Sequence, residues 1–500
     1  MTSAPGTGDA GRSGDAGGGP ADREALPGGP ATPATADSPG APPPRPGAGP
    51  APVRPARRVG LRTRLARAAG SAAGAASRLS GRGAGEVVTG RVVLRLAPRA
   101  VHELAGERVA AVVSATNGKT TTTRLLTAAL DAAHGGVVSN GGGANMRAGV
   151  VSALLAGPGE AVLEVDEMHL AGLLPELAPR VVLLMNLSRD QLDRTAETRQ
   201  LAAGWRRALA GLGTDGGRGV VVANADDPLV VWAAGTAPRV VWVSVGSSWT
   251  ADARSCPRCE QLLTLPGDPG DGRAAADGAE QAGGWRCLSC GLERPAPGLV
   301  LEGGDVHEPS AGGPRRHPVR LALPGQANRR NAAMAAAAAA ELGVPVGDAL
   351  AAMTDVGDVA GRYAWLRAGG VRFWLLLAKN PAGWVENFDV MGTSDRPLVL
   401  AVNAQGADGR DTSWIYDVPF ERLRGRRVVV AGERSADLSL RLAVAGVDHR
   451  TVGDLGGALR AAQALGPGPS AAPGEEEGVD VVGNYTAFQQ LRGLVAGGDR

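Results

Sequence analysis

From about residue 108 the chain alternates short runs of aliphatic and β-branched residues with longer segments in which apolar positions recur every three or four residues. Unbroken apolar runs of strand length predict strands buried on both faces, and the periodic segments between them predict helices packed on those faces. On this pattern residues 109–114, 161–165, 181–186, 220–224 and 240–245 are strands, and 121–133 and 327–342 are helices. After Gly357 a second alternation predicts strands at 371–378, 398–403 and 428–431, with a further apolar pair at 481–482. Strands separated by helices imply an α/β fold with mostly parallel sheet, in which ligands sit beyond the carboxyl ends of the strands.

Outside this alternation, residues 1–57 are rich in Pro, Gly and Ala with almost no large apolar side chains, as in a disordered tail. Residues 60–80 form a basic, weakly amphipathic helical pattern. Two readings stay open for it: contact with an anionic membrane surface, or packing of its Leu and Ala face on the following domain. The domain boundaries expected are thus a tail (1–57), a central domain (58–356) interrupted at 250–297, and a carboxy-terminal α/β domain (357–500).

Charge narrows the function classes. The 52 basic and 50 acidic residues leave a formal charge of +2, so no bulk attraction to nucleic acid is implied. No run approaches the roughly twenty apolar residues of a membrane-spanning helix, and the N-terminus lacks a basic-then-apolar leader. A cytoplasmic location is expected, with peripheral contact at the inner face of a membrane left open. Only two of the basic residues are lysines, Lys119 and Lys379. An ammonium is a compact point charge that fits between phosphates where a planar guanidinium does not fit equally well.

Lys119 lies in the strand-to-helix turn Ser114-Ala115-Thr116-Asn117-Gly118-Lys119-Thr120-Thr121. A glycine turn opening a helix directs backbone N–H groups and the helix dipole at an anion; Lys119 adds charge and Thr120 offers a hydroxyl to Mg²⁺. The broad phosphate-loop pattern is met incompletely, because Val113 and Ala115 stand where glycines are usual.

The loop resembles the T-N-G-K-T-T loop of the Mur ligases and folylpolyglutamate synthases, which join an amine to a carboxylate through an acyl phosphate. Further resemblances follow in chain order: Leu163-Glu164-Val165-Asp166-Glu167, Asn186 through Arg194, Asn224-Ala-Asp226-Asp227-Pro228, Leu323 through Ala332, and Gly361-Arg362. The resemblance implies ATP binding by Thr116, Asn117, Gly118, Lys119, Thr120, Thr121, Asn224, Asp227, Asn328, Asn331 and Arg362, and Mg²⁺ binding by Thr120 and Glu164. It also implies a catalytic role for Lys119, with Arg362 near the γ-phosphate. Two departures bear on a second metal: Gln191 replaces a frequent histidine, and no lysine between 119 and 379 is available for the carbamylation that many members use.

Cys256-Pro-Arg-Cys259 and Cys287-Leu-Ser-Cys290 are two knuckles of zinc-ribbon type, 27 residues apart. Four thiolates close a tetrahedral site with no open position, so the zinc expected here is structural. A Mur-like core interrupted by a Cys₄ ribbon resembles the MurT-type branch of the family, the ligase subunits of lipid II isoglutaminyl synthases. Segments 379–383, 403–417 and 483–487 resemble the carboxy-terminal domain of that branch. The implied reaction is ATP-dependent amidation of the α-carboxylate of D-glutamate in the stem peptide of lipid II. Thiol glutaminases need a nucleophilic cysteine, and all four cysteines are assigned to zinc, so a separate glutaminase subunit is expected; the resemblance implies that it is GatD-like and forms a heterodimer with the chain. Asp411 is the candidate that orients the partner's catalytic histidine, with Asp408 and Asp417 as alternatives and an ordinary turn-capping role as the plainer reading. Rival readings are a stand-alone amino-acid ligase and a non-catalytic ATP-binding scaffold.

Overall fold

The computed structural model describes residues 60–80, 85–189, 198–213, 219–246, 254–265, 284–357, 363–392, 394–405, 411–466 and 478–497. The tail, Gln191, Arg362, Asp408 and most of the Gly/Asp/Ala tract between the cysteine pairs lie outside them.

The chain enters through α1 (Leu61–Leu79), α2 (Glu86–Leu96) and α3 (Ala100–Ala105), then runs β1 (Val109–Ser114), α4 (Lys119–His134), β2 (Val138–Ser139), α5 (Arg147–Ala156) and β3 (Ala161–Glu164). It continues through α6 (Leu170–Leu177), β4 (Val181–Leu184), α7 (Thr198–Ala210), β5 (Val220–Asn224), α8 (Pro228–Ala234) and β6 (Val240–Ser244). An antiparallel meander, β7 (Leu299–Glu302), β8 (Asp305–Glu308) and β9 (Arg315–Pro318), precedes α9 (Gln326–Glu341) and α10 (Val346–Met353).

Every position of β1, β3, β4 and β5 is buried. Successive side chains of a strand point to opposite faces, so such strands need cover on both sides. Helices α5 to α8 supply one core and α4, α9 and α10 the other. The sheet order is β2-β3-β1-β4-β5-β6-β7-β8-β9. The chain leaves β1 toward β3 on one side and later pairs β4 on the other, with both pairings parallel. The carboxyl end of β1 is therefore the topological switch point, where α/β sheets open a ligand crevice.

A second sheet follows: β10 (Tyr363–Ala368), β11 (Val371–Leu377), α11 (Pro381–Met391), β12 (Leu398–Ala401), β13 (Val428–Ala431) and α12 (Ser435–Val444). The remaining elements are β14 (His449–Thr451), α13 (Leu455–Gln463), β15 (Gly478–Gly483) and α14 (Tyr485–Gly497). Their order is β10-β11-β15-β12-β13-β14, parallel except for the β10–β11 hairpin. The apolar pair at 481–482 is thus the middle of a central strand, inserted between β11 and β12.

The expected strands and the long helices are present. The helix after the phosphate loop starts at Lys119 instead of 121, which places Lys119 and Thr120 in its first turn. The meander β7–β9 was not expected, because its edge strand carries Arg315, Arg316 and His317 and has no apolar run.

Candidate active site

Gly118 ends the turn with φ +86°, a left-handed conformation that glycine adopts without strain. A Cβ there would meet Asn331 Oδ1 at 2.6 Å and Met185 Cε at 3.0 Å, so α9 packs directly on the turn. The turn is pinned from β4's side. Asn186 accepts from Asn117 N–H (2.9 Å) and donates to Asn117 C=O (3.0 Å). Thr116 Oγ1 accepts from Ser188 N–H and donates to Ser188 C=O, both at 3.0 Å. Loop and switch point are therefore one hydrogen-bonded unit.

Lys119 is buried, and its ammonium is folded onto the turn. It donates to Ala115 C=O, to Thr116 C=O at 3.1 Å and to Glu167 Oε2 at 2.7 Å. A buried charge needs such pairing. Carbonyl contacts are replaceable by phosphate oxygens of opposite charge, so the turn is arranged to hand its lysine to an anion.

Glu164 ends β3 and is 1% exposed. Asn140 accepts from its N–H at 2.7 Å and donates to its C=O at 2.8 Å, while Asn145 donates to Oε1 at 3.1 Å. Among the described residues nothing bonds to the buried Oε2. Buried polar atoms are almost always satisfied. An oxygen donor held without a partner beside a Lys-Thr turn fits a hard divalent cation of the Mg²⁺ kind.

Thr116 through Thr121, Glu164, Glu167, Asn328 and Asn331 line a cavity of about 760 Å³. Its opposite wall comes from the second sheet's side: Tyr363, Lys379, Glu386, Asn387 and Tyr485. Both lysines of the chain thus face one cavity, and the Lys379 ammonium also sits 5.9 Å from the Tyr485 ring centre. A smaller cavity of about 90 Å³ adjoins it, with Met185, Val245, Trp285 and Met334 as apolar walls and Asn117, Asn224 and Asn331 as polar edges.

The two cysteine knuckles converge: the four Sγ atoms lie within 4.8 Å of one another, with Cys256–Cys290 at 3.6 Å and Cys259–Cys287 at 3.4 Å. Metal–sulfur bonds of about 2.3 Å give a tetrahedron with edges of about 3.8 Å, so the spacing fits one zinc ion. Glu260 (φ +66°) and Gly291 (φ +73°) take left-handed conformations at matching places after the second cysteine of each knuckle. Burial opposes the Cys287 thiolate, but the N–H groups of Cys290 and Ser289 and the Cys259 thiol bring it down to about 7, whereas burial pushes Cys256 up to about 12. The ribbon also shapes the small cavity. Trp285 Nε1 donates to Ala225 C=O at 3.2 Å, and Arg294 pairs at 2.6 Å with Asp226, whose other oxygen accepts from Val245 and Gly246.

Comparison with known proteins agrees with this geometry. Residues 113–260 match the Mur ligase middle domain, and residues 377–488 match the MurT ligase C-terminal domain. The chain is 29% identical over 352 residues to the lipid II isoglutaminyl synthase (glutamine-hydrolyzing) subunit MurT of Staphylococcus aureus (strain COL), covering 67% of this chain and 77% of that protein. To the same subunit of Streptococcus pneumoniae (strain ATCC BAA-255 / R6) it is 27% identical over 403 residues, covering 74% and 84%. Two consecutive parts of the chain thus match Mur ligase domains, and relatives of the MurT type match most of its length. Among solved structures, a pseudomurein peptide ligase type C from Methanothermus fervidus superposes with a TM-score of 0.57 at 17% identity, covering 78% of this chain and 79% of that one. MurF from Acinetobacter baumannii gives 0.56 at 16%, covering 82% and 80%. At these identities the likeness shows the Mur ligase fold alone.

In this chain the loop residues, Glu164, Asn328 and Asn331 come together around the large cavity, and Asn224 and Asp227 line the small one. Asp227 caps α8: its carboxylate accepts from Leu229, Val230 and Leu187 N–H. Asp411 is exposed and stands apart from the loop. It accepts from Ser413 N–H at 2.9 Å, which holds its carboxyl below the usual range, and so opens the single-turn helix Ser413–Asp417. Asp417 at the end of that turn pairs with Arg189 at 3.0 Å.

Site-forming residues that the sequence did not single out are Asn140 and Asn145, which hold Glu164, and Asn380. Asn380 caps α11 through Oδ1, and its Nδ2 donates to Asn117 Oδ1 at 3.2 Å. Asn380 follows Lys379 and precedes a proline, and an Asn-Pro pair opening a helix is a readable N-cap signal.

Proposed function

We propose that this Mur ligase is the ATP-consuming subunit of a lipid II isoglutaminyl synthase, converting D-glutamate of the stem peptide to D-isoglutamine. The reading rests on one observation above others: a phosphate loop with a partnerless buried carboxylate oxygen at its side faces, across one cavity, the strand ends of a MurT-type second sheet.

A carboxylate is a poor electrophile. In the proposed reaction its oxygen attacks the γ-phosphorus of ATP, ADP leaves, and an acyl phosphate forms. Ammonia then adds to the carbonyl, loses a proton, and phosphate departs with the bonding electrons. Lys119 exchanges its Ala115 and Thr116 carbonyl contacts for phosphate oxygens, and the N–H groups at the start of α4 face the same anion. Glu164 and Thr120 are the residues to hold Mg²⁺, which when bound offsets charge on the transferred group. The apolar walls and asparagine edges of the small cavity suit a purine base, which brings Asn224, Asn328 and Asn331 to the nucleotide. Arg362 is proposed to approach the γ-phosphate.

Ammonia is proposed to come from a GatD-like glutaminase, since all four cysteines converge on the zinc-type site. Asp411, exposed and ionised on a fixed turn, is the candidate to orient the partner's histidine. The deciding experiment incubates the isolated protein with ATP, lipid II and either ammonium chloride or free amino acids, and weighs the product. Ammonium-dependent loss of one carboxylate in favour of an amide is expected. Joining of an amino acid without amidation would reject the proposal.

A further inference from the structure

The first helix is exposed on the wrong face for an ordinary surface helix. At about 100° per residue, Leu61, Leu65, Ala68, Ala72, Ala76 and Leu79 fall on one stripe of α1. The opposite face, Thr63, Ala66, Gly70 and Gly74, is the buried one. Gly70 and Gly74 let α1 approach Thr89 and Val93 of α2 closely. The Leu/Ala stripe therefore points away from the protein: Leu61 is 73% exposed, Leu65 65% and Leu79 90%. Surface helices of globular proteins normally turn their charged side outward.

Charge defines what this stripe suits. Between residues 60 and 99 there are eight arginines and one glutamate, while the whole chain is only +2. Arg62 flanks the stripe on one side, and Arg64, Arg67 and Arg78 lie on the other, all exposed. On α2, Arg91 and Arg95 add further exposed positive charge. Arg54, Arg57 and Arg58, just upstream in the sequence, carry the same sign. An apolar stripe bordered by arginines is the pattern of a helix lying in a lipid headgroup layer, with leucines in the acyl boundary and guanidinium groups on anionic phosphates.

The hairpin is also joined to the cavity rim. Gly90 of α2 packs so closely on Ala148 that an added Cβ would stand 1.9 Å from its carbonyl oxygen. Ala148 is in the first turn of α5, and the preceding Met146, 52% exposed, lines the large cavity.

We infer that the α1–α2 hairpin is an interfacial anchor for an anionic lipid surface. This stands on the surface alone and does not depend on the amidation reaction. The test is co-sedimentation of the full-length protein with vesicles of equimolar phosphatidylglycerol and phosphatidylcholine, and with phosphatidylcholine alone. Binding to the anionic vesicles is expected, weakening with added salt and falling by about ten-fold or more in Leu61→Ser/Leu65→Ser/Leu79→Ser. Arg62→Gln/Arg64→Gln/Arg67→Gln should lose anionic preference. Unchanged nucleotide binding by each variant controls for folding. Failure to bind anionic vesicles would overturn the inference. So would binding indifferent to the leucine substitutions and competed by duplex DNA, which would mark a polyanion surface. A leucine-dependent dimer in light scattering, with no vesicle binding, would assign the stripe to a second copy.

Discussion

Replacing Glu164 by Gln should make the ligand-free protein more stable and the enzyme inactive. Glu164 is 1% exposed, its backbone is clamped by Asn140, Oε1 takes one bond from Asn145, and Oε2 has no partner among the described residues. A buried polar atom without its bond costs about 1–3 kcal/mol, and more when it carries charge. Glutamine keeps the Asn145 contact through its carbonyl and removes the charge, but leaves an NH₂ where Oε2 stood. Only part of the penalty is recovered, about 1 kcal/mol, which in a chain of 500 residues raises the melting midpoint by about 1 °C. The same exchange removes a hard anionic ligand from the phosphate site, where loss of one electrostatic contact costs about 10²–10³ in turnover. Thermal melting with and without Mg²⁺·ATP, beside ATP turnover with lipid II and ammonium, reads both effects. The parent should gain stability from Mg²⁺·ATP by mass action, about 2.7 kcal/mol at a hundred-fold excess over Kd, and the variant much less. A variant that melts below the parent without ligand, or that turns over ATP within a few-fold of it, would refute the assignment.

Lys119→Ala should abolish ATP turnover and destabilise the protein by about 3–5 kcal/mol, because it removes one partner of a buried ion pair with Glu167; Lys119→Met combined with Glu167→Gln should restore the melting midpoint without restoring activity. Gly118→Ala should cost about 1–2 kcal/mol for the left-handed backbone and raise the ATP Kd, since the new Cβ displaces Asn331; isothermal titration gives both the affinity and the site count. Removing metal with a strong chelator should lower both the melting midpoint and ATP affinity, since Trp285 and Arg294 carry the ribbon into the small cavity's wall; an unaltered ATP Kd would show that the ribbon acts elsewhere. Asp411→Asn should remove glutamine-dependent amidation by the reconstituted complex while leaving ammonium-dependent amidation intact; unchanged glutamine turnover would return Asp411 to a turn-capping role.

The parts of this fold that were legible in the sequence are those where burial on both faces forces an apolar run, β1, β3, β4 and β5 above all. The phosphate loop was legible for another reason: a left-handed turn, a cation and a hydroxyl in consecutive positions leave few residue choices. The β7–β9 meander escaped notice because an edge strand such as Arg315–Pro318 is mostly exposed and carries no pattern. Asn140 and Asn145 were missed for a related reason. They act through single amide groups from a loop, and their target, the backbone and carboxylate of Glu164, is set by the β2–β3 pairing and not by sequence spacing. Asp227 is the converse case. Its motif was read as nucleotide contact, whereas the structure shows the carboxylate capping α8 through Leu229 and Val230 N–H and accepting from Leu187 N–H.

Asn117 explains how two sheets can serve one reaction. Its peptide group is held by Asn186 from the end of β4, and its side-chain amide reaches Ser188 at 3.5 Å. Its side-chain carbonyl accepts from Asn380, which at the same time caps the helix that opens the far wall of the cavity. A phosphate on the turn would draw on the N–H groups and the lysine around Asn117, the residue whose side chain is bonded to the cap of α11. Lys379, one residue before the cap, and Glu386, within the helix, line the same wall. The proposed acyl transfer calls for water to be excluded once the phosphate is seated. The Asn117–Asn380 hydrogen bond therefore joins the turn to the opposite wall through elements that themselves form the cavity.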